Sequence, residues 1–190
     1  MVHMGTSAQL DYLVFLQAFI YLTAGRSNMA DATLLDGKKI LIVDDEPDVL
    51  DSLEDLLSMC EVVKASNFKA AKDYLENRYF DLTILDIMGV EGYSLLEIAT
   101  GRGITAVMLT AHALSPDNVV KSYKEGAASY LPKEEMVNIA SFLEDILEAQ
   151  ELGKNPWTSW YGKMATFFEK KFEPDWQKND KDFFEKFPFY

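Results

Sequence analysis

Between residues 38 and 152 the chain alternates two rhythms. Short apolar runs at Lys39–Val43, Val62–Ala65, Leu82–Leu85, Ala106–Leu109 and Ser129–Leu131 predict five strands. Between them, apolar residues recur at steps of three and four. Val49, Leu50, Leu53, Leu56 and Leu57 mark one helix face, and Val137, Ala140, Phe142, Leu143, Ile146 and Leu147 mark another. Strands that alternate with helices of this length predict an α/β fold whose parallel sheet is covered on both faces.

Five strands and five helices in about 115 residues suit the smaller doubly wound arrangement, a five-stranded parallel sheet of flavodoxin type. Outside this block the pattern changes. Residues 1–37 read as an N-terminal extension. Its first 28 residues carry only Asp11 and Arg26 as charges, around an apolar stretch from Leu10 to Ala24. That stretch is shorter than the roughly 20 apolar residues of a spanning helix. No Lys or Arg precedes it, as a secretory leader would require. It reads as an amphipathic helix, or as residues that precede a natural start at Met29.

Residues 153–190 hold twelve of the 24 aromatic residues and all three tryptophans. Asn155-Pro156 predicts a helix start. Trp157, Trp160, Tyr161, Met164, Phe167, Phe168 and Phe172 then follow on one helical face. After Pro174 comes a second aromatic segment with Phe183, Phe184 and Phe187. This helical C-terminal extension is expected to pack on its own domain, or to form a homodimer or partner contact.

Composition narrows the chemistry. Thirty-one acidic residues against 18 basic ones give a formal charge of −13, which repels a phosphate backbone, so nucleic-acid binding is not expected. With Cys60 as the only cysteine and His3 and His112 as the only histidines, there is no intrachain disulfide, thiolate zinc site or His-rich metal site. A reducing, cytoplasmic setting with no membrane partner is the corresponding expectation.

In an open parallel sheet, ligands bind beyond the carboxyl ends of the strands. The first expected strand runs into Asp44-Asp45, the third into Asp86, the fourth into Thr110-Ala111, and the fifth through Pro132 into Lys133. The topology thus predicts three carboxylates, a hydroxyl and an ammonium at one edge. Clustered acids repel unless a cation intervenes, and an oxygen-only donor set suits Mg²⁺. No GxxxxGK[ST] or GxGxxG loop is present to cradle a nucleotide. A phosphoryl group would therefore come from a small donor or another protein, with a carboxylate as acceptor.

In these residues the chain resembles the response-regulator receiver domain of two-component signalling, over about residues 38–152. The resemblance rests on Ile-Leu-Ile-Val-Asp44-Asp45-Glu46-Pro47, Leu-Thr-Ile-Leu-Asp86, Met-Leu-Thr110-Ala111 and Ala-Ala-Ser-Tyr130-Leu-Pro-Lys133. It implies that Asp86 accepts a phosphoryl group from a histidine kinase or histidine phosphotransfer protein. Asp44, Asp45, Asp86 and the backbone carbonyl of Met88 would hold Mg²⁺. Thr110 and Lys133 would contact the phosphoryl oxygens, and Thr110 and Tyr130 would form the switch. Met88 and His112 stand where the family tunes hydrolysis, and a methionine cannot orient water strongly, which predicts a long-lived phosphorylated state.

The chain departs from the family pattern in two places. The loop after Asp86 is about two residues shorter, and Gly89 and Gly92 are expected to supply its tight turns. Glu134 follows Lys133 where the family has proline, so a cis turn is not expected there. No output module is legible after residue 152, which predicts a receiver signalling by contact with a downstream protein, and not an enzyme beyond self-catalysed phosphoryl acceptance and slow loss. A metal-dependent phosphohydrolase is the alternative, though the acid it needs two residues after the nucleophile is here Met88. A degenerate receiver scaffold is a third, disfavoured by the complete acid set.

Overall fold

The computed structural model describes residues 33–111, 115–171 and 181–185. The expected helix within residues 1–28, together with His112, Phe172 and Phe187, lies outside the described residues. From Leu34 onward the described residues belong to one compact unit.

Five strands, β1 (Lys39–Val43), β2 (Glu61–Ala65), β3 (Leu82–Asp86), β4 (Thr105–Thr110) and β5 (Ser129–Pro132), form one sheet in the order β2-β1-β3-β4-β5. Every pairing is parallel. This is the doubly wound sheet the alternation predicted, each strand within a residue of its expected bounds. The central β3, Leu-Thr-Ile-Leu-Asp, is buried along its whole length, as a strand covered on both faces must be. Its one interior hydroxyl, on Thr83, donates to the Leu41 carbonyl at 3.1 Å, so its burial leaves no unmet donor.

The crossovers are α1 (Pro47–Leu56), α2 (Phe68–Asn77), α3 (Gly92–Gly101) and α4 (Pro116–Lys124), and β5 leads into α5 (Ile139–Glu151). Packing sets α1 against α5 and α2 against α3. The starts follow local chemistry. Asn67 Oδ1 accepts from the Ala70 N–H at 3.0 Å, and Ser115 Oγ accepts from Asn118 at 3.2 Å with Pro116 in the first turn.

One helix boundary differs from the expected stripe. Residues Lys133–Asn138 form a 3₁₀ turn, and α5 begins only at Ile139. Val137 is consequently 71% exposed, whereas Ile139 is buried and takes its place in the core. A 3₁₀ turn advances more steeply per residue than an α-helix, which puts residues on either side of the junction out of phase.

The aromatic extension forms α6 (Pro156–Lys171) and the short α7 (Lys181–Phe184). Asn155 Oδ1 accepts from the Trp157 N–H at 3.0 Å, giving the expected start. Trp157, Trp160, Tyr161, Met164 and Phe168 are buried, and Phe167 is partly so. They lie against α5 and β5. Trp157 and Phe183 both meet Tyr123 of α4 edge to face, with centroids 5.4 and 5.0 Å apart. Such pairs add about 0.5–1.5 kcal/mol each beyond the area they bury.

Candidate functional site

Parallel register fixes what meets at the sheet's carboxyl edge. Val43 pairs with Leu85, Asp86 with Leu109, and Thr110 with Pro132. The residues that terminate β1, β3, β4 and β5 therefore emerge side by side. Asp44, Asp86 and Thr110 are buried there, at 0%, 4% and 1% exposure. Asp45 and Met88 are exposed, on the wall of a cavity of about 360 Å³ that Asp86 and Lys133 also line.

Lys133 is the centre of this arrangement. Its Nζ lies 2.7 Å from Asp44 Oδ2, 2.8 Å from Glu46 Oε1 and 3.1 Å from Asp86 Oδ1. Burial opposes the charge on this ammonium, but its pairing with the Asp44, Glu46 and Asp86 carboxylates outweighs that and holds its pKa above the ordinary lysine value. The Asp44 carboxyl is pushed above its ordinary value, chiefly by burial and further by the Asp86 charge. Lys133 and the Glu46 N–H act in the opposite direction.

The other Asp86 oxygen, Oδ2, accepts from the backbone N–H groups of Met88 at 3.0 Å and Gly89 at 2.9 Å. The loop after β3 thus fixes the carboxylate's orientation. The loop is tight, but not in the way the glycines suggested. Gly89 and Gly92 do not adopt positive φ; Glu91 does, at 55°. The glycines provide space instead. A Cβ on Gly92 would stand 2.1 Å from the Asp86 carbonyl oxygen, and one on Gly89 would fall within the Asp45 carboxylate. Among the described residues no peptide bond is cis.

Tyr130 is fully buried, and its hydroxyl meets the Thr110 hydroxyl and the Ser115 backbone. The ring therefore points inward, onto the residue that ends β4. Burial is the main reason its phenol is held above the ordinary tyrosine pKa.

Sequence reasoning missed Glu46. It read as part of an acidic helix start, and it does occupy the position before α1, yet its side chain makes no cap hydrogen bond and turns to Lys133 instead. The only signal for this role was its place beside two acids at a strand end.

Four carboxyl groups, from Asp44, Asp45, Glu46 and Asp86, thus face a single ammonium at this edge. Among the described residues no trio of acidic, histidine or cysteine side chains converges as a ready chelate. Lys133 stands between Asp44 and Asp86. The donor chemistry nonetheless fits a hard divalent cation, being oxygen alone. Asp44 Oδ2 is buried and pairs with the Lys133 charge, but it has no well-directed hydrogen bond.

Residues 40–144, more than half of the chain, match the response regulator receiver domain. The chain belongs to that family. It is 37% identical over 103 residues to the two-component response regulator ARR18 of Arabidopsis thaliana, covering 51% of this chain and 16% of that protein. It is 34% identical over 130 residues to ARR10 of the same plant, covering 63% and 23%. The chain thus matches less than a quarter of the length of these two relatives. Among solved structures, a CheY-like response regulator receiver domain protein from Methanospirillum hungatei JF-1 aligns with a TM-score of 0.56 at 32% identity. It covers 62% of this chain and 98% of that one. The receiver family is a signalling module of two-component systems.

Proposed function

We propose that this receiver accepts a phosphoryl group on Asp86 from a phosphohistidine donor, on a histidine kinase or a histidine phosphotransfer protein, and signals through protein contacts. The observation that carries the reading is the half-buried Lys133 ammonium, within 3.1 Å of carboxylates from Asp44, Glu46 and Asp86 at the open edge of the sheet. In the transfer an Asp86 oxygen forms a bond to phosphorus while the bond from phosphorus to the donor imidazole nitrogen breaks. The imidazole keeps that electron pair and takes up a proton.

The chain's own groups suit this step. The N–H groups of Met88 and Gly89 and the Lys133 ammonium hold the Asp86 carboxylate in one orientation before attack. Lys133 and the Thr110 hydroxyl stand at the edge where charge would accumulate on the phosphoryl oxygens. Asp44, Asp45, Asp86 and the Met88 carbonyl are the residues that would hold Mg²⁺, which supplies neutralisation of phosphoryl charge when bound. Net charge of −13 supports a protein, and not a nucleic acid, as the downstream contact.

The test is incubation with Mg²⁺ and acetyl phosphate, followed by intact mass. One added phosphoryl group is expected on the wild type and none on Asp86→Asn. A wild type that stays unmodified, or a variant that is modified equally, would overturn the assignment.

A further inference from the structure

The helix α6 is fastened to the strand that carries the site's lysine. Trp157 Nε1 donates to the Ala127 carbonyl at 2.7 Å, just before β5, and Trp160 Nε1 donates to the Tyr130 carbonyl within it. At the far end of the helix, Lys171 pairs with Glu134 at 2.7 Å, and Glu134 is the residue next to Lys133. The segment from Ala127 to Glu134 is thus gripped from outside by α6. From inside it is held by the Tyr130 hydroxyl on Thr110 and by Lys133 on Asp44, Glu46 and Asp86.

Further contacts of α6 with Tyr123 of α4, with β5, and with Ser141 and Asp145 of α5 fix the helix across the outer side of β5. Docking of the helix therefore holds in place the strand from which Tyr130 points inward and Lys133 reaches the acids. The inward ring in turn meets Thr110, one of the groups proposed to receive the phosphoryl oxygens.

We propose that docking of α6 and phosphorylation of Asp86 favour one another. The extension is a built-in effector of the receiver, one that stabilises the inward Tyr130 and the placed Lys133. This rests on the assignment of Asp86 as phosphoacceptor. By linkage, whatever factor phosphorylation adds to α6 docking, docking must add to phosphoryl-site affinity, and such couplings are commonly about fivefold or more.

The test uses the full chain with Mg²⁺ and beryllofluoride as a phosphoryl mimic, with acetyl phosphate and intact mass in parallel. Hydrogen exchange over residues 156–171 is expected to slow about fivefold when the site is filled. Trp160→Phe keeps an aromatic ring, though a smaller one, and loses the N–H, and Lys171→Gln loses the pair with Glu134. Each is expected to raise the half-saturating beryllofluoride concentration, an effect that a helix serving only as packing would not produce. Binding that leaves exchange of α6 unchanged or faster, or variants that bind as the wild type does, would overturn the coupling while leaving Asp86 as the acceptor. Absence of both the adduct and beryllofluoride binding would instead remove the phosphoacceptor reading, and the coupling with it.

Discussion

A methyl group added to Gly89 would lie 1.9 Å from Asp45 Oδ1, because the Asp45 carboxylate rests against the bare Cα of that glycine. An exposed aspartate can swing away, so the collision falls on its position and not on the fold. Gly89→Ala is expected to leave the melting temperature nearly unchanged while weakening Mg²⁺ binding, read by titration against the wild type. Equal Mg²⁺ affinity would show that Asp45 does not bind the ion from this side.

Gly92→Ala meets a different obstacle. Its Cβ would stand 2.1 Å from the backbone carbonyl of Asp86, which cannot rotate out of the way. Overpacking of this kind costs about 1–3 kcal/mol. Denaturant unfolding should show a loss in that range, against almost none for Gly89→Ala.

Lys133→Met would leave the buried Asp44 and Asp86 carboxylates without their cation. Removing one partner from a buried ion pair typically destabilises by about 3–5 kcal/mol. Millimolar Mg²⁺ is expected to restore part of that loss if the acids accept a metal, since any ligand that binds only the folded state stabilises it. Thermal melts with and without Mg²⁺ check both halves.

Asp44 gives a pH dependence whose sign follows from its raised pKa. The unfolded chain releases this proton near the ordinary value of 3.8 and the folded chain releases it higher. Between those two values the folded state binds more protons, so this residue's contribution to stability falls as pH rises and is then level. Asp44→Asn is accordingly expected to melt higher than the wild type at neutral pH without Mg²⁺, and to lose that advantage at pH below 3.8, where both forms are neutral. An Asn variant that melts lower at neutral pH would contradict this.

Met88 is 67% exposed at the rim of the cavity and offers no group that can align an attacking water. A phosphorylated Asp86 should therefore be slow to hydrolyse. Met88→Asn is expected to shorten its lifetime several-fold, by less than the ~100-fold of a fully positioned general base. Following phosphoryl loss by intact mass after removal of acetyl phosphate measures it.

The sheet and its site were largely legible because both depend on short-range pattern. An apolar run ending in Asp44, Asp86 or Thr110 places that residue at a strand end, and parallel register brings the ends together. What stayed hidden depends on three-dimensional proximity between side chains. Glu46 turns to a lysine 87 positions away, and nothing in a helix-start sequence distinguishes that from a solvated acid. Gly89 and Gly92 signalled backbone freedom, whereas the space they leave is for Asp45 and for the Asp86 carbonyl. Val137 fitted the stripe of α5 by count but fell on the 3₁₀ turn ahead of it. In α6 the spacing identified the buried face but could not say that two indole N–H groups would find carbonyls at Ala127 and Tyr130.

Those two indoles matter for solubility as well. β5 closes one side of the sheet, and an uncovered border strand is a template on which another chain can add a strand of its own. Trp160 fills one of the acceptor positions such an intruder would use, and Trp157 takes the carbonyl of Ala127 just ahead of the strand. A receiver whose α6 has come loose should accordingly be prone to self-assembly through that border, making the aromatic helix a guard against aggregation.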